Sequence, residues 1–136
     1  MESPIIPVTA AILIHEGKIL IAQREEGLSQ GGKWEFPGGK VRPDESPEEC
    51  LCREIKEELG LDIDVGDIFH VVHHRYPNKS ILLLAYLCRW NGGKIALREH
   101  KACRWVNRYA LEHLQFADAD IDIVKKLLSK PSLRFF

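Results

Sequence analysis

Near its start the chain carries an apolar run, Ile5 to His15, rich in isoleucine, valine and alanine. Such a run reads as a strand. Glu16-Gly17 interrupts it and Lys18 to Gln23 resumes it, which predicts a hairpin. A polar, glycine-bearing loop from Glu25 to Gly32 leads to a short strand, Lys33 to Phe36, ended by Pro37. Trp34 and Phe36 share one face of that strand. The period then lengthens. Leu51, Ile55 and Leu59 recur at four-residue steps, the stripe of an amphipathic helix. Asp62 to Arg75 reads as a long strand with its alternation broken near Gly66. Ser80 to Arg89 is an apolar strand closed by a turn at Trp90-Asn91-Gly92-Gly93. Ile95 to Arg104 is polar and reads mostly as loop. Trp105-Val106 is a short strand, and Asn107 to Leu114 a short helix or turn. Asp118 to Lys130 is a second amphipathic helix, with Ile121, Val124, Leu127 and Leu128 on its apolar side. The Pro131–Phe136 tail is too short for an element of its own.

The first helix has clear limits. Ser46 suits an N-cap, Pro47 the first helical position and Glu49 a capping box, while Gly60 suits the C′ position after Leu59. Gly38-Gly39 and a Pro43-Asp44 turn precede it, so the unit is a glycine loop followed by a short acidic helix. At about 100° per residue, Glu54, Glu57 and Glu58 fall within an arc of roughly 100°. Like charges three and four residues apart destabilise a helix by about 0.2–0.5 kcal/mol per pair. Arg53 and Lys56 point more towards the opposite side. Most acidic runs are solvated faces, and such a face lies opposite the apolar stripe. Here Glu58 lies only about 20° from Leu51, and Glu54 and Glu58 border the stripe. Carboxylates held at the edge of a core suit a hard divalent cation. On the wheel alone, a metal site and a surface face both stand.

The 136 residues suffice for one domain, 1–136, with a real core. A net charge of −1 argues against a surface that tracks long nucleic acids, yet leaves room for a pocket that takes one nucleotide. Cys50, Cys52, Cys88 and Cys103 form no Cys-x-x-Cys pair and read as reduced, mostly buried thiols of a cytoplasmic protein. Neither a signal peptide nor a membrane anchor is expected. His70, His73 and His74 invite a zinc reading, but in a strand His73 and His74 point to opposite faces, so surface histidines are expected.

The glycine loop and acidic helix share a fixed pattern. Gly39 is followed after five residues by Glu45, after seven more by Arg53-Glu54-Ile55, then by Glu57-Glu58 and Gly60-Leu61, with one residue before each pair. This resembles a complete Nudix box. The flanking Lys33–Lys40, KWEFPGGK, resembles the MutT-type branch, the nucleoside triphosphate pyrophosphohydrolases, and a weaker similarity extends over nearly the whole chain. The resemblance implies a Nudix fold, an α/β (α+β) architecture with a mixed β-sheet between helices. It also implies a hydrolase that depends on Mg2+, with Mn2+ as an alternative ion.

The same resemblance implies roles for single residues. Glu54, Glu57 and Glu58 are the main metal ligands, completed by the Gly38 carbonyl and by Glu99. Glu99, a few residues before Trp105, matches a second acidic site, as a ligand or as the base that orients the attacking water. Arg53 orients the glutamates by salt bridging, and Glu45 supports the loop or a metal through water. Arg24, Lys40 and Lys79 are candidates for the substrate phosphates. Phe36, Tyr76 and Asp120 are candidates for the nucleobase. A carboxylate at Asp120 would accept hydrogen bonds from cytosine's amino group or a guanine-like edge. For Asp118 a helix-dipole role is preferred.

The implied reaction is water attack on the β-phosphorus of a small-molecule nucleoside triphosphate, giving a nucleoside monophosphate and pyrophosphate. A modified or ordinary (d)NTP, such as an oxidised guanine nucleotide or a cytidine nucleotide, is the expected substrate, as in nucleotide-pool sanitation, by a monomer or homodimer. Two alternatives are weighed. Pro77, sixteen residues after Leu61, resembles a mark of ADP-ribose hydrolases, but MutT-like chains also carry a proline in that turn. A catalytically silent nucleotide-binding module would be expected to lose box carboxylates, and all are present.

Overall fold

The computed structural model describes residues 4–130; the expectation for the 131–136 tail falls outside them. Strand β1 (Ile5–His15) lies at the middle of a seven-stranded mixed sheet. One edge of β1 pairs in parallel with β6 (Lys79–Gly93), from Ile5 opposite Ser80 to Ile14 opposite Arg89. Beyond β6 runs the antiparallel β5 (Leu61–Tyr76). The other edge of β1 is shared. Val8, Thr9 and Ala10 pair with β4 (Gly38–Lys40), and only Ile14 and His15 pair with β2 (Lys18–Arg24). Strand β2 turns away to pair with β3 (Trp34–Glu35) and β7 (His100–Val106). The sheet therefore parts between β1 and β2.

Alternate residues of β1 enter two separate cores. Ala11 and Leu13 pack with Leu51, Ile55 and Leu59 of helix α1 (Pro47–Leu59). Ala10 and Ile12 pack with Ile123, Val124 and Leu127 of helix α2 (Ile121–Ser129). A strand covered on both faces needs a continuous apolar run, not an alternating one, which is why Ile5–His15 reads as it does. A mixed sheet with a helix on each face is the architecture expected. Each fully buried leucine or isoleucine contributes roughly 1.5–3 kcal/mol, and Leu51, Ile55 and Leu59 are all 0% exposed. They fix α1 to the sheet.

The ends of α1 follow the sequence. Ser46 accepts the Glu49 N–H at 3.1 Å and Glu49 accepts the Ser46 N–H at 2.8 Å. Gly60 closes the helix at φ 72°, with its N–H on the Lys56 carbonyl. Glycine takes that left-handed conformation with no Cβ penalty.

Four elements differ from the expected ones. The Gly38-Gly39 loop is strand β4. Trp90–Gly93, read as a turn, continues β6, because Gly92 and Gly93 find partners in Asp62 and Leu61 across a bulge. β7 starts at His100, inside the stretch read as loop, because β2 pairs with it throughout. Asp118–Asp120 is a 3-10 turn, after which α2 begins at Ile121. The buried face of α2 is formed by Ile123, Val124 and Leu127, which leaves Ile121, its first residue, exposed. All four cysteines are free; Cys50 and Cys88 are buried and Cys52 is exposed. His70, His73 and His74 lie on β5, and none is buried.

Candidate active site

The three helix acids sit in three different environments. The Glu58 carboxylate is buried, the Glu54 side chain is 16% exposed and that of Glu57 is 52% exposed. Arg53 does not point away from them, as the wheel has it. Its long side chain folds back across the acids. Nη2 and Nε donate to the two Glu45 oxygens at 2.6 and 2.9 Å, and Nη1 donates to Glu54 at 2.7 Å and Glu57 at 3.2 Å. A planar guanidinium matches such a set of oxygens better than an ammonium. Hydrogen bonds from Arg53 hold the Glu45 carboxyl down at about 2, and Glu45 and Glu54 push the Arg53 guanidinium further up. Glu45 also accepts the Arg42 N–H at 3.0 Å. It therefore joins the loop before the helix to the helix itself.

Strand β4 comes very close to α1. A Cβ on Gly39 would lie 2.5 and 2.8 Å from the Glu54 carboxylate oxygens, and a Cβ on Gly38 would fall on the Thr9 carbonyl. Cys50 fastens the same junction, its thiol lying 3.6 and 3.4 Å from the Gly39 and Lys40 carbonyls. The two glycines thus let β4 lie between β1 and the acids.

A cavity of about 860 Å³ opens where the sheet parts. Gly38, Lys40, Glu58 and Glu99 line it, as do Arg24, Phe36, Tyr76, Lys79 and Asp120. All the substrate candidates from the sequence therefore share one cavity with two of the candidate acids. Arg53, Glu54 and Glu57 are not in its lining. Phe36 stacks on Phe116 with ring centroids 5.4 Å apart, and its N–H donates to the buried Asp120 carboxylate at 3.1 Å. Burial, then the charge of Glu35, pushes the Asp120 carboxyl well up. Lys79 lies over the Tyr76 ring, 5.9 Å from its centroid. Burial raises the Tyr76 phenol as well, and Asp118 and Asp120 add to it.

Two titratable lining residues escaped the sequence reading, Glu35 and His100. One Glu35 oxygen accepts from Arg24 at 3.0 Å and the other meets His100 Nε2 at 2.8 Å. Arg24 Nε also donates to the Ser29 carbonyl at 2.8 Å. An acid set between Trp34 and Phe36 was the one available signal for Glu35; His100 carried none. Asp118, read as a dipole residue, instead meets Gln30 and Lys33 at 3.3 and 3.5 Å.

Among the described residues, no three carboxylate, imidazole or thiol side chains form a ready-made metal cage. Arg53 engages Glu54 and Glu57 with its own hydrogen bonds, while Glu58 is buried. The donors nevertheless fit a hard cation. Glu58 Oε2 is buried with no hydrogen-bond partner, a costly state for a carboxylate. Burial, then Glu54, Glu99 and Glu35, pushes the Glu58 carboxyl up to about 9. Excess negative charge around an oxygen-only donor set is what a divalent cation relieves.

The NUDIX domain model matches residues 5–127. The chain is 37% identical over 133 residues to the CTP pyrophosphohydrolase of Escherichia coli K12, covering 95% of this chain and 96% of that protein. It is 36% identical over 132 residues to the 8-oxo-dGTP diphosphatase of Haemophilus influenzae, covering 96% of each. The crystal structure of the MutT protein from Methanosarcina mazei superposes with a TM-score of 0.84 at 29% identity, covering 93% of this chain and 95% of that one. With the box residues gathered beside a nucleotide-sized cavity and the match running nearly end to end, the chain belongs to the Nudix family, among its MutT-like members.

Proposed function

We propose that this protein hydrolyses nucleoside triphosphates to a nucleoside monophosphate and pyrophosphate, with cytidine nucleotides or oxidised guanine nucleotides as substrates. One observation carries the reading. Acids and a glycine backbone suited to a polyphosphate–metal unit line the same cavity as an aromatic floor and a buried carboxylate suited to a base. The curated names of the two relatives, a CTP pyrophosphohydrolase and an 8-oxo-dGTP diphosphatase, support it. The four free cysteines support a cytoplasmic setting.

Glu54, Glu57, Glu58, the Gly38 carbonyl and Glu99 would hold Mg2+, or Mn2+ in its place. Divalent ions bound there neutralise phosphate charge, activate water and stabilise the leaving group. The side chains do the rest. Arg53 restrains Glu54 and Glu57, limiting their mutual repulsion. Arg24, Lys40 and Lys79 bind the phosphates, Arg24 held in place by Glu35 and the Ser29 carbonyl. Phe36 and Tyr76 are the aromatic lining against which the base would lie. Asp120 reads the base edge while its second bond, from the Phe36 N–H, fixes its orientation.

A substrate panel tests this. CTP, dCTP, 8-oxo-dGTP, dGTP and ADP-ribose are each offered with Mg2+ and with EDTA, and products are separated by chromatography. The expected result is pyrophosphate and a monophosphate from a cytidine or 8-oxoguanine nucleotide, with none in EDTA. Turnover of ADP-ribose alone, or of nothing, overturns the proposal.

A further inference from the structure

His100 is 8% exposed, yet it sits in the wall of a polar cavity. Its Nε2 meets Glu35 at 2.8 Å, and its Nδ1 is buried without a partner. An imidazole packed so deeply, with half its polar capacity unused, is retained at a cost. What it holds follows from its neighbours in the chain. Between Gln23 and Arg24 the β2–β7 ladder slips: Gln23 pairs with Ala102 and Arg24 with His100, so Lys101 is extra. A bulge re-aims the side chains beside it. This one sets His100 beside Arg24 and against Glu35.

Glu99 is the residue before His100, at the bend where β7 begins. It is exposed, and its carboxylate forms no salt bridge among the described residues. On its other side the chain is tied to α1: the Arg98 N–H donates to the Glu58 carbonyl at 3.3 Å and the Arg98 side chain to the Glu57 carbonyl at 3.3 Å. Glu99 is thus a single residue strung between two anchors. One anchor is the backbone of the acidic helix; the other is His100 on Glu35.

We infer that His100 is a positioning residue, which through its bond to Glu35 fixes the neighbouring Glu99 on the cavity wall facing Glu58. The inference rests on the proposed use of Glu99 in this site. It gives the reason a loop acid with no fixed spacing from the box arrives beside it: β3 supplies the address, 65 residues away in sequence. Outer partners of this kind change metal affinity or activity by about 10–100-fold when removed.

The test uses the whole chain as wild type, His100→Ala, His100→Gln, Glu99→Gln and the double variant His100→Ala/Glu99→Gln, each checked for folding by circular dichroism. Hydrolysis of CTP and 8-oxo-dGTP is measured with Mg2+, and Mn2+ binding to the free protein by electron paramagnetic resonance. His100→Ala should lower kcat about tenfold or more with KM within threefold. His100→Gln, whose amide N–H reaches Glu35 from nearly the place of Nε2, should return to within threefold of wild type. The double variant should match Glu99→Gln within twofold, because a residue acting through Glu99 has nothing left to position. Losses that multiply, or a His100→Ala protein with wild-type kcat, overturn the inference. If the wild type turns over no nucleotide, the proposed function fails by itself. Mn2+ then decides about His100 alone: weaker binding in His100→Ala that His100→Gln restores supports it, and unchanged binding overturns it.

Discussion

Replacing Gly39 by alanine separates the site from the fold more cleanly than any change to the acids. The added methyl carbon would lie 2.5 Å from one Glu54 oxygen and 2.8 Å from the other, where ordinary contact begins at 3.4 Å. Glu54 must retreat by close to 1 Å. It cannot do so freely, because Arg53 Nη1 holds Glu54 Oε1 at 2.7 Å. The backbone has no such difficulty. Gly39 lies in a strand and is absent from the positive-φ residues, so alanine fits its conformation. Gly38 is the contrasting control: its methyl would meet the Thr9 backbone carbonyl, which cannot yield without breaking β1–β4 pairing. A displacement of about 1 Å in a catalytic group can cost roughly 10²-fold in rate. Gly39→Ala should therefore lose about 10²-fold in kcat/KM and weaken Mn2+ binding, with a melting temperature within about 3 °C of wild type, under 1 kcal/mol for a domain of this size. Gly38→Ala should lose both activity and stability. Steady-state kinetics and a thermal melt, each with and without EDTA, make the comparison. A Gly39→Ala enzyme at near-native rate would refute the reasoning, since Glu54 would then be free of the geometry assigned to it.

Two further substitutions follow from the buried carboxyls. Glu58→Gln should abolish turnover and yet stabilise the metal-free protein. The folded-state value of about 9 lies above the ordinary 4.5, so the folded form binds the proton more tightly, and wild-type stability falls as pH rises from about 4.5 towards 9. Glutamine removes that slope. Melts in EDTA at pH 5 and pH 8 should show the variant gaining at least about 4 °C over wild type at pH 8, the shift that roughly 1 kcal/mol produces, and little at pH 5; an equal gain at both would count against it. Asp120→Asn keeps an oxygen for the Phe36 N–H and changes only what faces the base. The preference between CTP and 8-oxo-dGTP, as a ratio of kcat/KM, should shift by about tenfold or more, while the Mg2+ concentration for half-maximal activity stays put. Its carboxyl is also raised by burial, so the variant should melt higher than wild type at neutral pH; a uniform loss for every base would show that Asp120 does not read the base.

What could be read from the sequence was whatever is decided within one turn of chain. The capping box, Pro47 and Gly60 fix the limits of α1 by contacts among near neighbours, and the helix limits match. The 20° between Glu58 and Leu51 is likewise local, and the burial of Glu58 follows from it. Arg53 shows where the method stops. A wheel gives the direction of Cα–Cβ, but a long side chain can swing across the face, and four carboxylate contacts outweigh the initial direction. The site residues beyond the box lie further out of reach. Whether His100 meets Glu35 depends on a one-residue slip between β2 and β7, and no pattern within either strand records it. The polar look of 95–104 has two local sources: 94–99 forms no strand, and β7, paired with β2 alone, carries the exposed Lys101 and Arg104 around the inward Ala102 and Cys103, so it lacks the alternation by which strands are found. The elements hardest to read here are therefore those that bring Glu99, His100 and the Gly38-Gly39 backbone to the cavity. Their residues answer to partners on other strands, and only pairing reveals them.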